Sequence, residues 1–134
     1  MKVYISGKIG EEVLSDATRE KFARAERMLK QRGFSVFNPT NSGLGIVAEK
    51  KVRNAQRRGD KTTWYAEILK LDIAKLSFCD AIYMLADWTE SPGANVEYDY
   101  AVAVGIRRLW ESEEDAVVFR DDNETVSEIW LPLL

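Results

Sequence analysis

The chain has 134 residues, 46% hydrophobic and 31% charged, and carries a formal net charge of −3 at pH 7. This length predicts one domain over residues 1–134, and the negative charge argues against nucleic-acid and membrane partners. The sequence has no histidine and one cysteine, Cys79, which excludes an internal disulfide, a His/Cys zinc site and any histidine-dependent nucleophile. We therefore expect acid-base chemistry to use carboxylates, lysine or tyrosine, without a metal or a cofactor.

The chain begins with a predicted strand, residues 2–6, that stops at Gly7. This apolar run is too short for a signal peptide or a membrane span, so we expect a cytoplasmic protein. A helix is predicted next over residues 16–32, closed by Gly33. Its apolar side chains recur at helical spacing and are Phe22, Ala25, Met28 and Leu29.

Two further strands and a helix occupy the middle of the chain. Residues 34–37 predict a short strand, which Pro39 halts because it restricts the residue before it. Thr62 or Thr63 can cap a helix that leads into residues 80–85. The near-continuous apolar run over those six residues is typical of a strand buried on both faces.

The last clear unit is a helix over residues 91–104 followed by a strand over residues 106–110. The resulting βαβαβαβ order predicts an α/β fold with a mostly parallel, doubly wound sheet of the flavodoxin or Rossmann type. Helices then cover both faces, and ligands bind beyond the carboxyl ends of the strands. In the remaining residues, 111–134, the pattern allows an edge strand at 116–119 and either a short helix or an oligomer contact at 125–134.

Residues 41–61 have no counterpart in this alternating scheme. They carry a set of cationic side chains: Lys50, Lys51, Arg53, Arg57, Arg58 and Lys61. One interpretation is a solvated insertion, such as a loose helix whose charges face water. Another is a mobile lid that supplies cations to a phosphate. A nucleic-acid or protein-binding arm is the third, and the overall acidity disfavours it.

Polar or small residues follow three of the predicted strands, at residues 4–8, 38–40 and 87–93. Because the carboxyl ends of parallel strands meet at one edge of a sheet, these residues should converge on one crevice. Gly7 would let the backbone approach a ligand closely. Ser91 and the N–H groups near residue 93 predict either a small anion site at a helix amino end or an ordinary helix cap.

Two carboxylates are candidates for the chemistry at this crevice. Glu97 falls near the start of the last long helix, whose dipole should keep it ionised. It is either a nucleophile toward a sugar anomeric carbon or a cap of its own helix. Asp72 falls among Leu71, Ile73 and Leu76, where a solvated acid would be out of place, so it is predicted to point at the site.

Three motifs along residues 2–110 resemble the nucleoside 2-deoxyribosyltransferase superfamily. They are VYISG at residues 3–7, LD at 71–72 followed by CDAI at 79–82, and SPGANVEY at 91–98. The superfamily includes the 2'-deoxynucleoside 5'-monophosphate N-glycosidases, and the chain is most similar to a small branch common in phages and bacteria. The resemblance implies an enzyme that acts on a nucleotide or nucleoside and assembles as a homo-oligomer, a dimer or larger.

The resemblance also implies roles for individual residues. Glu97 would be the nucleophile at C1', Asp72 would protonate or hold the leaving base, and Tyr4 would orient the nucleophile. Ser91 and Gly93 would bind the 5'-phosphate, which favours nucleotides over nucleosides. The implied reaction is hydrolysis or base exchange at the N-glycosidic bond of (deoxy)nucleoside 5'-monophosphates, through a covalent glycosyl-Glu intermediate. The alternative is a non-catalytic nucleotide-binding sensor or sponge.

Two residues depart from the superfamily pattern. Asn95 replaces a usual second glycine and would narrow the sugar pocket, and Lys8 replaces a small polar residue and would supply charge to the phosphate. With Ser6 and the residues above, they complete the predicted substrate-binding set: Ser6, Gly7, Lys8, Ser91, Gly93 and Asn95. Trp64 and Trp88 either stack on a base or fill the core, and the sequence does not separate these alternatives.

Overall fold

The computed structural model describes residues 1–9 and 14–133. In these residues four parallel strands form one sheet in the order β2-β1-β3-β4. The strands are β1 (Lys2–Ser6), β2 (Ser35–Phe37), β3 (Ala81–Met84) and β4 (Arg107–Trp110). Central β1 pairs with β2 through Val3 opposite Val36, and with β3 through Tyr4 opposite Ile82. The predicted parallel α/β sheet is therefore confirmed.

Six α-helices accompany the sheet in the described part of the chain. They are α1 (Asp16–Gln31), α2 (Leu44–Arg57), α3 (Trp64–Leu76), α4 (Pro92–Val104), α5 (Glu113–Val118) and α6 (Val126–Ile129). Two 3₁₀ turns, Pro39–Asn41 and Trp88–Glu90, follow β2 and β3. No helix among the described residues is both long enough and apolar enough to cross a membrane.

The helices cover both faces of the sheet, as the doubly wound prediction requires. On one face, Phe22 and Leu29 of α1 pack with Ile5 and Tyr83. On the other, Leu76 of α3 and several α4 side chains pack with alternate residues of the same strands. This two-sided burial is why the β3 segment reads as a continuous apolar run. Each face of the sheet thus contributes to one of two hydrophobic clusters.

Local sequence signals set the helix ends. The Ser15 hydroxyl accepts the N–H of Thr18 and caps α1, and the Thr63 hydroxyl accepts the N–H of Ala66 and caps α3. Gly105 follows α4 with a φ of 81°, a left-handed conformation that glycine adopts without strain. The predicted bounds of α1 and α4 and the predicted start of α3 agree with the structure to within one or two residues.

The basic segment, residues 41–61, contains the helix α2. This helix packs mainly against α3 and buries Ala48 and Ala55. Its lysines and arginines are exposed, and Arg53 pairs with Glu49 one turn earlier. The segment therefore forms a regular helix with solvated cations, the arrangement that charge runs usually adopt.

The edge strand considered for residues 116–119 is wrong, because these residues fall in and just after α5. The Ser112 hydroxyl accepts the N–H of Asp115 and caps this helix, whose first turn is acidic. The short helix considered for residues 125–134 is confirmed by α6, and residue 134 lies outside the described residues. After α6, Trp130 forms a parallel bridge with Trp110, which extends the sheet beyond β4.

Candidate functional site

The chain changes direction across the sheet between β1 and β3, and a cavity lies beyond their carboxyl ends. In a doubly wound sheet this switch point leaves a crevice between the two connections. The cavity has a volume of about 740 Å³. Six of the predicted site residues line it: Tyr4, Gly7, Asp72, Ser91, Gly93 and Glu97.

Glu97 lies at the base of this cavity and is only 6% exposed. Its Oε2 accepts a hydrogen bond of 2.5 Å from the Tyr4 hydroxyl, and its Oε1 accepts one of 2.7 Å from the Ser6 hydroxyl. Both donors lie on β1, whereas Glu97 lies on α4. The carboxylate therefore does not cap its own helix, and strand side chains hold it in one orientation.

Burial dominates the electrostatics of Glu97. The sequence predicted that the helix dipole would keep this group ionised, but desolvation raises its pKa to about 7. The hydrogen bonds from Tyr4 and Ser6 act in the opposite direction and lower the pKa. A carboxylate with a pKa near neutrality ionises readily at pH 7 while remaining weakly solvated, which suits a nucleophile.

Asp72 is the second buried acid of the cavity and is 8% exposed. It projects from α3, and its buried Oδ1 has no hydrogen-bond partner in the described structure. Burial, together with the charge of Glu97, raises the pKa of Asp72 to about 8. Because Glu97 accepts two hydrogen bonds and Asp72 Oδ1 accepts none, we assign the proton to Asp72 at neutral pH.

The amino end of α4 forms another wall of the cavity. The Ser91 hydroxyl accepts the N–H of Ala94 at 3.1 Å, so Ser91 is a helix cap. A Cβ on Gly93 would lie 2.4 Å from the Tyr65 hydroxyl oxygen, so a larger residue there would displace the Tyr65 side chain. Asn95 does not line the cavity; its amide donates to the backbone carbonyls of Trp88, Thr89 and Ser91 and braces the preceding turn.

The loop after β1 contains the two other predicted binding residues. Gly7 lines the cavity, but close packing explains its identity, since a Cβ there would lie 2.7 Å from Cδ1 of Leu85. Lys8 is not among the lining residues, and its ammonium lies 3.6 Å from a carboxylate oxygen of Glu90. The structure therefore does not bring the Lys8 charge to the candidate site.

Sequence reasoning missed Arg19, whose side chain lines the same cavity from α1. It is the sole lysine or arginine among the described lining residues, because the cations of α2 lie elsewhere. No hydrogen bond or ion pair joins its guanidinium to another described residue. The sequence did contain a signal for Arg19, because this residue lies near the start of the helix that follows β1. In a doubly wound fold the amino end of such a helix faces the carboxyl ends of the strands, where ligands bind.

The two tryptophans that the sequence could not separate have different environments. Trp64 lines the cavity and donates its indole N–H to the Gly45 carbonyl, which joins α3 to α2. Trp88 is buried in an aromatic cluster with Tyr98 and Trp110. Trp64 is thus accessible from the cavity, whereas Trp88 fills the core. Among the described residues, no group of three or more acidic or cysteine side chains could hold a metal ion.

Comparison with known proteins identifies the fold and the family of this chain. A solved structure of the 2-deoxyribosyltransferase from the psychrotolerant bacterium Bacillus psychrosaccharolyticus superposes with a TM-score of 0.55. The match covers 100% of this chain and 99% of that chain at 13% sequence identity, so it shows a shared fold. The sequence profile of DUF4406, described as a domain of unknown function, matches residues 1–109. The chain belongs to the DUF4406 family.

Proposed function

We propose that this protein cleaves the N-glycosidic bond of (deoxy)nucleoside 5'-monophosphates by a retaining, two-step reaction. The observation that carries the proposal is the buried Glu97 carboxylate, held by Tyr4 and Ser6. The same cavity contains Asp72, whose buried Oδ1 has no hydrogen-bond partner among the described residues. Two carboxyl groups with opposite protonation states are what retaining glycoside chemistry requires. The shared fold with a 2-deoxyribosyltransferase supports the same reaction class.

In the first step an oxygen of Glu97 forms a bond to C1' while the bond from C1' to the base nitrogen breaks. The departing base takes the proton of Asp72, which becomes a carboxylate. In the second step water attacks C1', Asp72 accepts a proton from it, and Glu97 leaves as a carboxylate. An acceptor base in place of water would give exchange rather than hydrolysis.

The phosphate is proposed to lie near Ser91 and Gly93, at the amino end of α4. Residue 92 is proline and the Ser91 hydroxyl accepts the Ala94 N–H, so the first-turn N–H left to bind an anion is that of Gly93, and the helix dipole adds to its attraction. Among the described residues, three carboxyl groups line the same cavity, from Glu49, Asp72 and Glu97. An anionic ligand therefore also needs a cation, and Arg19 is placed to provide it.

The proposal is tested by incubating the purified protein with a panel of ribo- and deoxyribonucleoside 5'-monophosphates, with and without an acceptor base. Chromatography then measures free and exchanged base. Release of base identifies a hydrolase, and exchange without release identifies a transferase. Tight nucleotide binding without turnover of any panel member would contradict the enzyme proposal and favour the sensor or sponge.

The Arg19→Gln variant is expected to raise KM for a monophosphate substrate about tenfold, because one charge-assisted hydrogen bond is lost. The value of kcat and the KM for the matching nucleoside should change little. Arg24→Gln is the matched control, since Arg24 is exposed on the same helix and does not line the cavity. An equal rise in KM for nucleotide and nucleoside would show that Arg19 does not recognise the phosphate.

A further inference from the structure

A compact polar network joins α1 to the loops that follow β1 and β3. The Lys21 ammonium of α1 lies 2.6 Å from Asp87 Oδ2 and donates to the Lys8 carbonyl at 2.7 Å. The other oxygen of Asp87 accepts the backbone N–H of Lys8 at 3.0 Å. One cation and one carboxylate thus hold both backbone groups of a single loop residue. We call the Lys21 and Asp87 side chains, with their bonds to Lys8, the loop clamp.

The ion pair of the loop clamp is better shielded from water than the Arg27–Glu20 pair of the same helix. The Lys21 and Asp87 side chains are 29% and 26% exposed, whereas Arg27 and Glu20 are each 58% exposed. An exposed ion pair such as Arg27–Glu20 contributes little to the stability of the fold, because water screens the charges and the side chains lose entropy on pairing. A partly buried pair with additional backbone hydrogen bonds has a more defined geometry.

The two loops held by the clamp are close in sequence to the two partners of the Ser6–Glu97 hydrogen bond. Lys8 follows Ser6, whose hydroxyl donates to Glu97. Asp87 precedes the turn Trp88–Glu90 and the cap residue Ser91, from which the Glu97 helix begins. The loop clamp therefore joins the segment that follows Ser6 to the segment that leads into the Glu97 helix.

We propose that Lys21 is a positioning residue for the reaction: through the loop clamp it holds the end of β1 against the start of α4, so that Ser6 keeps its contact with Glu97. Lys21 does not touch the reacting atoms, and the residue acts through Ser6. This inference rests on the proposed function, since positioning is measured by turnover.

The Lys21→Met variant removes the ammonium but keeps most of the apolar stem. We expect kcat to fall about ten- to a hundredfold, because small displacements of reacting groups are costly, while KM changes little. The acidic limb of the kcat profile should move to higher pH, since loss of the Ser6 hydrogen bond favours protonated Glu97. The other groups facing Glu97, Tyr4 and Asp72, keep their places. Lys21→Arg should restore most of kcat.

The matched control is Arg27→Met, which removes a cation and an ion pair from the same helix and should leave kcat and its pH profile unchanged. Asp87→Asn removes the other half of the clamp, so the double variant with Lys21→Met should be little worse than either single variant. The inference is overturned if Lys21→Met keeps kcat and the acidic limb of the wild type, or if it only lowers the unfolding temperature.

A readout without substrate separates failure of this inference from failure of the proposed function. If the wild-type protein turns over no nucleotide, the ¹³C resonance of the Glu97 carboxyl is titrated instead. A higher apparent pKa in Lys21→Met than in the wild type and in Arg27→Met supports the loop clamp. Superimposable titration curves for the three proteins overturn it.

Discussion

Replacement of Glu97 by glutamine is expected to lower base release about a thousandfold or more, because the amide cannot form the glycosyl ester. Glutamine has nearly the same shape, and its carbonyl oxygen can still accept a hydrogen bond from Tyr4 or Ser6. The fold should therefore be kept, which circular dichroism would check. Chromatographic assay of released base measures the effect.

The control for this substitution is Glu90→Gln, in the turn just before α4. Glu90 is exposed, pairs with Lys8 and does not line the cavity, so its replacement should leave base release unchanged. Mass spectrometry of the wild-type protein with a slowly turned-over substrate should show a glycosyl adduct on Glu97. Retention of more than about a tenth of the activity in Glu97→Gln would remove the covalent step from the mechanism.

The Asp72→Asn variant is expected to lower kcat about a hundredfold or more for bases that leave only when protonated, because general acid catalysis is lost. In the wild type, activity should rise with pH as Glu97 ionises, since its pKa is raised to about 7. Activity should then fall as Asp72 loses its proton, since its pKa is raised to about 8. The variant should lose this alkaline fall. A profile whose alkaline limb persists in Asp72→Asn would assign that limb to another group.

The same variant should change how stability depends on pH. The pKa of Asp72 is about 8 in the folded protein, above its ordinary value of 3.8. Between these two pH values the folded protein keeps a proton on Asp72 that the unfolded chain loses. Its contribution to stability is therefore complete below pH 3.8 and is lost progressively as pH rises toward 8. Asparagine does not titrate, so thermal unfolding at pH 5 and at pH 8 should differ less in Asp72→Asn than in the wild type.

Most of the sheet and its helices could be predicted because their signals are local. The Ser15 and Thr63 caps, Gly105 and the apolar run of β3 each act within a few residues of the chain. The segment 116–119 has the composition of a strand, but the local cap at Ser112 and the packing of Ala116 into the hydrophobic cluster produce a helix. Of these two causes, the packing depends on residues distant in the chain.

The candidate site also has some features that could be predicted from the sequence and others that could not. That the ends of β1 and β3 share a crevice follows from the order of elements, because parallel strands joined by right-handed crossovers have one common carboxyl edge. An acid among apolar neighbours predicts that Asp72 points at the site, and Asp72 does line the cavity. Lys8 and Asn95 were also expected there, but their side chains turn to Glu90 and to backbone carbonyls.

Periodicity, capping and composition are properties of neighbouring residues, so the amino-acid sequence was enough to predict the alternation of strands and helices, the parallel sheet, and the acids available for chemistry. The three-dimensional arrangement was needed to find that Tyr4 and Ser6 hold Glu97, that burial raises its pKa against these two hydrogen bonds, and that Arg19 is a cation among the described residues of the cavity. These properties depend on distances between residues far apart in the chain, which folding sets and local patterns do not encode.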